Sequence, residues 1–124
     1  MIRSGGTTRI VLCVGPIAFK IARDNRGARC NCFEADLYRA SDARRRAMLC
    51  PPLWCSANGA VLVMRRAEPI PENEFYEIRD TGRLPDWDYR GPGDVESPFE
   101  WKPSDWGWLD GRIVAVDYST PMLD

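Results

Sequence analysis

The chain has 124 residues, 44% of them apolar and 28% charged, with 17 basic and 18 acidic side chains and a net charge of −1. That balance describes one soluble globular domain, spanning residues 1–124, and gives no electrostatic support for a nucleic-acid partner. No histidine is present, which excludes Ser-His and Cys-His nucleophile pairs and leaves proton transfer near neutral pH to carboxylates or lysine.

No apolar run approaches the ~20 residues that cross a bilayer, and residues 1–6 lack the apolar core of a secretory signal, so a cytoplasmic location is expected. Five cysteines are an odd number; with no export signal, reduced thiols are the default. A zinc site from Cys30, Cys32, Cys50 and Cys55 is the alternative, although the spacing of the two pairs departs from that of zinc ribbons.

Residues 8–14 and 17–22 are β-branched, apolar runs separated by Gly15-Pro16, the pattern of a hairpin. In the second run Lys20 is flanked by the small Ala18 and Ala22, so its ammonium is aimed into whatever packs on that face. Asp24-Asn25-Arg26-Gly27 then reads as a turn. Asn31 followed by Glu34 matches a capping box, which predicts a helix over 32–48 ended by Cys50-Pro51-Pro52. Within it Arg39, Arg44, Arg45 and Arg46 alternate with Asp36 and Asp42 as a solvated helix face.

Asn58-Gly59 is a tight-turn pair joining strands over 53–55 and 60–64, after which residues 65–69 leave the sheet as an extended connector. A short helix is predicted over 72–81. Four prolines and two glycines make residues 84–103 irregular, yet the segment carries Trp87, Tyr89, Phe99 and Trp101. Aromatics in such a loop are pinned to the domain or to a partner. The Asp110-Gly111 turn joins strands over 106–109 and 113–118, with Ile113, Ala115 and Asp117 on one face. The fold class that follows is α+β, a small mixed or antiparallel sheet that includes this last hairpin, with one main helix on it.

Ile17-Ala18-Phe19-Lys20, the downstream Glu34 and the final hairpin to Asp117 resemble the lysine strand, helix glutamate and metal-binding aspartate of the protein-kinase-like fold, and in particular of aminoglycoside-phosphotransferase-like kinases. The resemblance implies a minimal kinase-like fold without most of its C-terminal lobe. It implies that Lys20 meets the phosphates of ATP and pairs with Glu34, and that Asp105 and Asp117 hold magnesium. Glu100 takes the position of the catalytic aspartate and Asp105 that of the second metal ligand. The same likeness makes Met64, Arg65 and Ala67 a hinge against adenine. Gly5-Gly6 is the only glycine cluster ahead of the lysine strand, and residues 118–124 leave no acceptor platform. The expected function is therefore that of a degenerate kinase-like protein, a regulator or inhibitor of phage or other mobile-element type. It would bind a protein partner through Trp87, Tyr89 and Trp101. A minimal magnesium-ATP-dependent phosphotransferase is the alternative.

Overall fold

The computed structural model describes the backbone of residues 2–3 and residues 8–122 in full; Gly5 and Gly6 lie outside the described residues. The main sheet is antiparallel. Its four full strands are β2 (Arg9–Val14), β3 (Ile17–Ala22), β4 (Pro52–Cys55) and β5 (Val61–Arg65), in the order β2-β3-β5-β4, and the two-residue β1 (Ile2–Arg3) extends the edge beside β2. The first hairpin closes as Gly15-Pro16 predicts, with Val14 opposite Ile17 and Gly15 at φ +56°, the positive angle a two-residue hairpin needs at its first central position.

The main helix begins earlier than the capping-box reading places it. Helix α1 spans Asn25–Ala40 and is capped by Asp24, whose carboxylate accepts from the N–H of Gly27. The residues read as a turn are thus its cap and first turn. Gly27 is there for proximity: a Cβ on it would lie 2.2 Å from the carbonyl oxygen of Thr8, so the helix sits directly on the start of β2. Glu34 and Asn31 belong to the helix interior, and both are fully buried. The predicted helix also divides: Ser41 ends α1, and Asp42 caps the short α2 (Ala43–Arg46).

The hairpin of β4 and β5 forms around Asn58-Gly59. Gly59 has φ +77° and its missing Cβ would fall 2.2 Å from the carbonyl oxygen of Ala28, so this turn abuts α1. Asn31 fixes that contact by donating to the carbonyls of Gly59 and Lys20 at 2.8 and 3.0 Å.

The last hairpin is not part of the main sheet. Strands β7 (Trp106–Leu109) and β8 (Arg112–Ala115) pair with β6 (Glu68–Pro69) in a separate three-stranded sheet. Asp110 and Gly111 both take positive φ at its turn. The two sheets meet where Ala115 pairs with Leu49 and exchanges bonds with Met48 and Cys50. Because β8 stops at Ala115 to make that junction, Asp117 and Tyr118 lie beyond the strand. Helix α3 (Glu72–Asp80) packs Phe75 and Ile78 into the core, close to its predicted bounds.

Residues 84–103 are irregular as expected, but the segment is drawn inward. The guanidinium of Arg45 chelates Asp94 through two 2.8 Å bonds and donates to the carbonyls of Trp87 and Asp88. Arg44 adds bonds to the carbonyls of Asp86 and Trp87. Two residues read as a solvated face therefore cap loop carbonyls that no strand satisfies. Arg45 also stacks over Trp87 at 4.2 Å, and Trp87 is only 2% exposed, its indole N–H donating to Val95. Trp87 is a core residue and not a surface anchor.

Candidate functional site

Lys20, Glu34 and Asp117 do come together, and the residue that joins all the parts is Arg9. Alternation along β2 and β3 places Arg9, Val11, Lys20 and Ala18 on the sheet face that α1 covers, with Val11 opposite Lys20 and Arg9 opposite Ala22. Glu34, in the third turn of α1, points at them. One carboxylate oxygen accepts from Lys20 and from Arg9, each at 2.8 Å; the other accepts from Arg9 at 3.1 Å and from the backbone N–H of Tyr118 at 2.8 Å. Arg9 reaches further, to Asn31 at 3.0 Å, Asp117 at 3.0 Å and the Ser119 hydroxyl at 3.3 Å. Lys20 also donates to the carbonyl of Val116.

Two cations thus face two carboxylates and the local charge balances. Burial by itself would push the Glu34 carboxyl up, but the charges of Arg9 and Lys20, with their hydrogen bonds, outweigh it and hold the group down at about 2. Arg9 is raised, its own burial being overcome by Glu34 and then Asp117. Burial and the nearby Glu34 raise the Tyr118 phenol well above its ordinary value, and its hydroxyl donates to the Cys50 carbonyl at 2.7 Å.

The remaining predicted site residues are distributed around this cluster. Asp105 is 3% exposed and accepts from the N–H of Glu100 at 2.9 Å, while its own carbonyl accepts from Val116 at 2.7 Å. Burial, and then the charge of Asp117, push its carboxyl up to about 7. Glu100 points to solvent, 3.7 Å from Lys102. Met64 is core at 1% exposure and Ala67 is buried at 3%. The backbone of Arg65 is already occupied, its N–H on Pro51 and its carbonyl on the Cys50 thiol. Tyr89 and Trp101 are exposed, and Trp101 stacks on Trp106 with ring centroids 5.6 Å apart.

Magnesium and ATP do not fit these residues. Lys20 is 5% exposed and directed at Glu34 and Val116, Asp105 serves a backbone N–H, and the proposed hinge has no free edge at Arg65. Among the described residues no group of three or more His, Cys, Asp or Glu side chains is arranged to hold a metal ion, which also removes the four-cysteine zinc arrangement. Comparison with family models, with curated proteins and with solved structures finds no match for this chain.

Sequence reasoning missed Arg9 and Asn31. The signal for Arg9 was its place in the alternation of β2, two residues from the inward-facing Val11. Asn31 carried only the local signal of a cap.

Two outcomes follow. Glu34→Gln leaves Arg9 and Lys20 buried against a neutral group, and urea unfolding should show a loss of about 3–5 kcal/mol. The folded pKa of Glu34 lies below its ordinary value, so its contribution is present above about pH 4.5 and is lost as pH falls toward about 2; the variant should lack that acid limb. Asp105 behaves oppositely. Its folded pKa is raised, so the folded state binds the extra proton and stability declines as pH rises from about 4 through about 7. Asp105→Asn, which keeps an acceptor for Glu100, should abolish this decline and be more stable than wild type at pH 8 by on the order of 1–3 kcal/mol.

Proposed function

We propose that the chain acts by binding a partner protein across the open face of its main sheet. The observation that carries this reading is that the sheet presents apolar side chains on both faces but is covered on one. Beneath α1, Cys13, Ala18, Leu62 and Met64 are buried. On the opposite face Ile10, Leu12 and Val14 of β2 and Ile17, Phe19 and Ile21 of β3 remain partly or largely exposed, and none of them packs on the core. Val61 and Val63 of β5 and Trp54 of β4 continue the surface, and the register aligns Leu12, Phe19, Val63 and Trp54 in one row across four strands.

A half-solvated antiparallel sheet ordinarily alternates apolar and polar residues. Here the outward positions are apolar as well. Four strands about 4.8 Å apart and five residues long at about 3.4 Å each give a footprint of roughly 300 Å², the size at which exposed apolar patches are commonly functional. The charged group at its border, Arg65, is engaged by Asp110 at 2.6 Å. The complementary surface is therefore an uncharged apolar face of another protein, such as a second sheet packed about 10 Å away. In this reading the kinase-like pair Lys20–Glu34 and Asp117 serve the fold, and the exposed Tyr89 and Trp101 stand apart from the contact.

Thermal unfolding with and without magnesium-ATP tests the role given to the ion cluster: the midpoint should stay within about 1 °C, whereas a rise of several degrees would return the site to nucleotide binding. The face is tested by Val14→Lys combined with Ile21→Lys, at positions 56% and 37% exposed. The double variant should keep its stability within about 0.5 kcal/mol per site and lose a partner that a photo-crosslinker at Phe19 captures in the wild type. A partner retained by the variant, or captured from position 89 and not from position 19, would refute the assignment.

A further inference from the structure

We infer that Cys32 and Cys55 form a thiol pair that closes to a disulfide between α1 and the edge strand β4. The two residues come from different elements, the second turn of α1 and the last position of β4, yet Cys32 stands close enough to act directly on the Cys55 thiol, which donates to the Ser56 carbonyl at 3.4 Å. A second feature fixes the same location. A Cβ on Gly59, in the turn that follows β4, would lie 2.8 Å from the Cys32 sulfur, so Cys32 is lodged under the β4–β5 turn where Cys55 ends its strand.

Exposure separates this pair from the other cysteines. Cys13, Cys30 and Cys50 are buried, whereas Cys32 and Cys55 are each partly exposed. Cys55 also lines a surface groove of about 470 Å³ with Tyr38, Arg39, Arg46 and Trp54. The groove gives a small oxidant access, and its two arginines favour an anionic one such as glutathione disulfide.

The chemistry balances with that reagent. The Cys32 sulfur attacks one sulfur of the small disulfide, giving a mixed disulfide and one released thiol. The Cys55 sulfur then attacks Cys32 and expels the second thiol, which carries away the remaining proton. Two protein thiols are oxidised and one small disulfide is reduced to two thiols. Burial, and then Cys32, push the Cys55 thiol up to about 11, so the second step proceeds through its small thiolate fraction and quickens as pH rises. The closed bridge would span residues 33–54 and fasten the free edge of the sheet to the helix, constraining the unfolded chain.

The test is oxidation of the native protein with glutathione disulfide, alkylation of residual thiols and peptide mapping. Expected are a linked Cys32–Cys55 peptide pair lacking two hydrogens, three alkylated cysteines, and a melting midpoint raised by roughly 10 °C in the oxidised form. Cys55→Ser should instead keep a stable glutathione adduct at Cys32, since the resolving sulfur is gone. Five alkylated cysteines after oxidation would overturn the inference. So would a lasting glutathione adduct on the wild type, a bridge involving Cys13, Cys30 or Cys50, or an oxidised form that melts no higher than the reduced one.

Discussion

The carboxylate of Glu34 is the constraint around which the rest of the molecule is arranged. It is completely buried, and an ionised carboxylate in that position is tolerated only if its lone pairs are all engaged and its charge is met. Four donor groups do this, and they come from three places: Arg9 on β2, Lys20 on β3, and the Tyr118 N–H beyond β8 converge on a side chain from α1. Arg9 supplies two of the four bonds. Helix, sheet and C-terminal segment are thus held in one mutual position by a group that none of them can satisfy alone.

Such a cluster contributes more to specificity than to net stability. The Coulombic gain of a buried pair is largely cancelled by the desolvation of both partners, and the core of Leu49, Leu62, Met64, Phe75 and Trp106 supplies the apolar burial that holds the domain together. What the cluster adds is a penalty on every arrangement in which α1 shifts along the sheet or residues 116–119 detach, because each strands a charge. Arg9 and Asp117 are 108 positions apart in the chain, so the penalty binds the two ends of the sequence together. Arg45 repeats the device on a smaller scale. By gathering Asp94 and the carbonyls of Trp87 and Asp88, it gives an irregular proline-rich segment the hydrogen bonds that no ladder provides, and Trp87 is buried as a result.

What the sequence disclosed and what it withheld divides along the same line. Turns were legible because their chemistry is local: Gly15-Pro16, Asn58-Gly59 and Asp110-Gly111 each require positive φ that glycine or aspartate supplies, and each closes a hairpin where expected. The helix start was misread because Asp24 to Gly27 has the composition of a turn, and nothing local reveals that Gly27 is small to admit Thr8. The Lys20–Glu34 pairing was expected only from the kinase-like resemblance; strand alternation showed no more than that Lys20 faces whatever packs on the sheet. The setting of the pair was not legible. Whether that lysine meets a phosphate or a backbone carbonyl depends on Arg9 and on residues 116–119, and no periodicity links those positions. The final hairpin was found correctly but assigned to the wrong sheet, since its partner is the two-residue β6, too short to carry a pattern.

The two faces of the main sheet then take opposite roles. The face toward α1 carries the buried charges of Arg9, Lys20 and Glu34, neutralised by one another and by Asp117, so it has little left to offer a ligand. The other face carries Arg65 at its border, already engaged by Asp110, and no described element covers it; its apolar row continues through β5 to Trp54 at the β4 edge. A sheet polar on its outside would have been more soluble at no cost to the core, which is already complete without Leu12, Phe19 or Val63. Those residues contribute little by staying in water and would contribute substantially by leaving it. The proposed recognition surface therefore lies on the side of the sheet away from the ion cluster, and in that reading Lys20 and Glu34 matter because they keep the four strands in register beneath it.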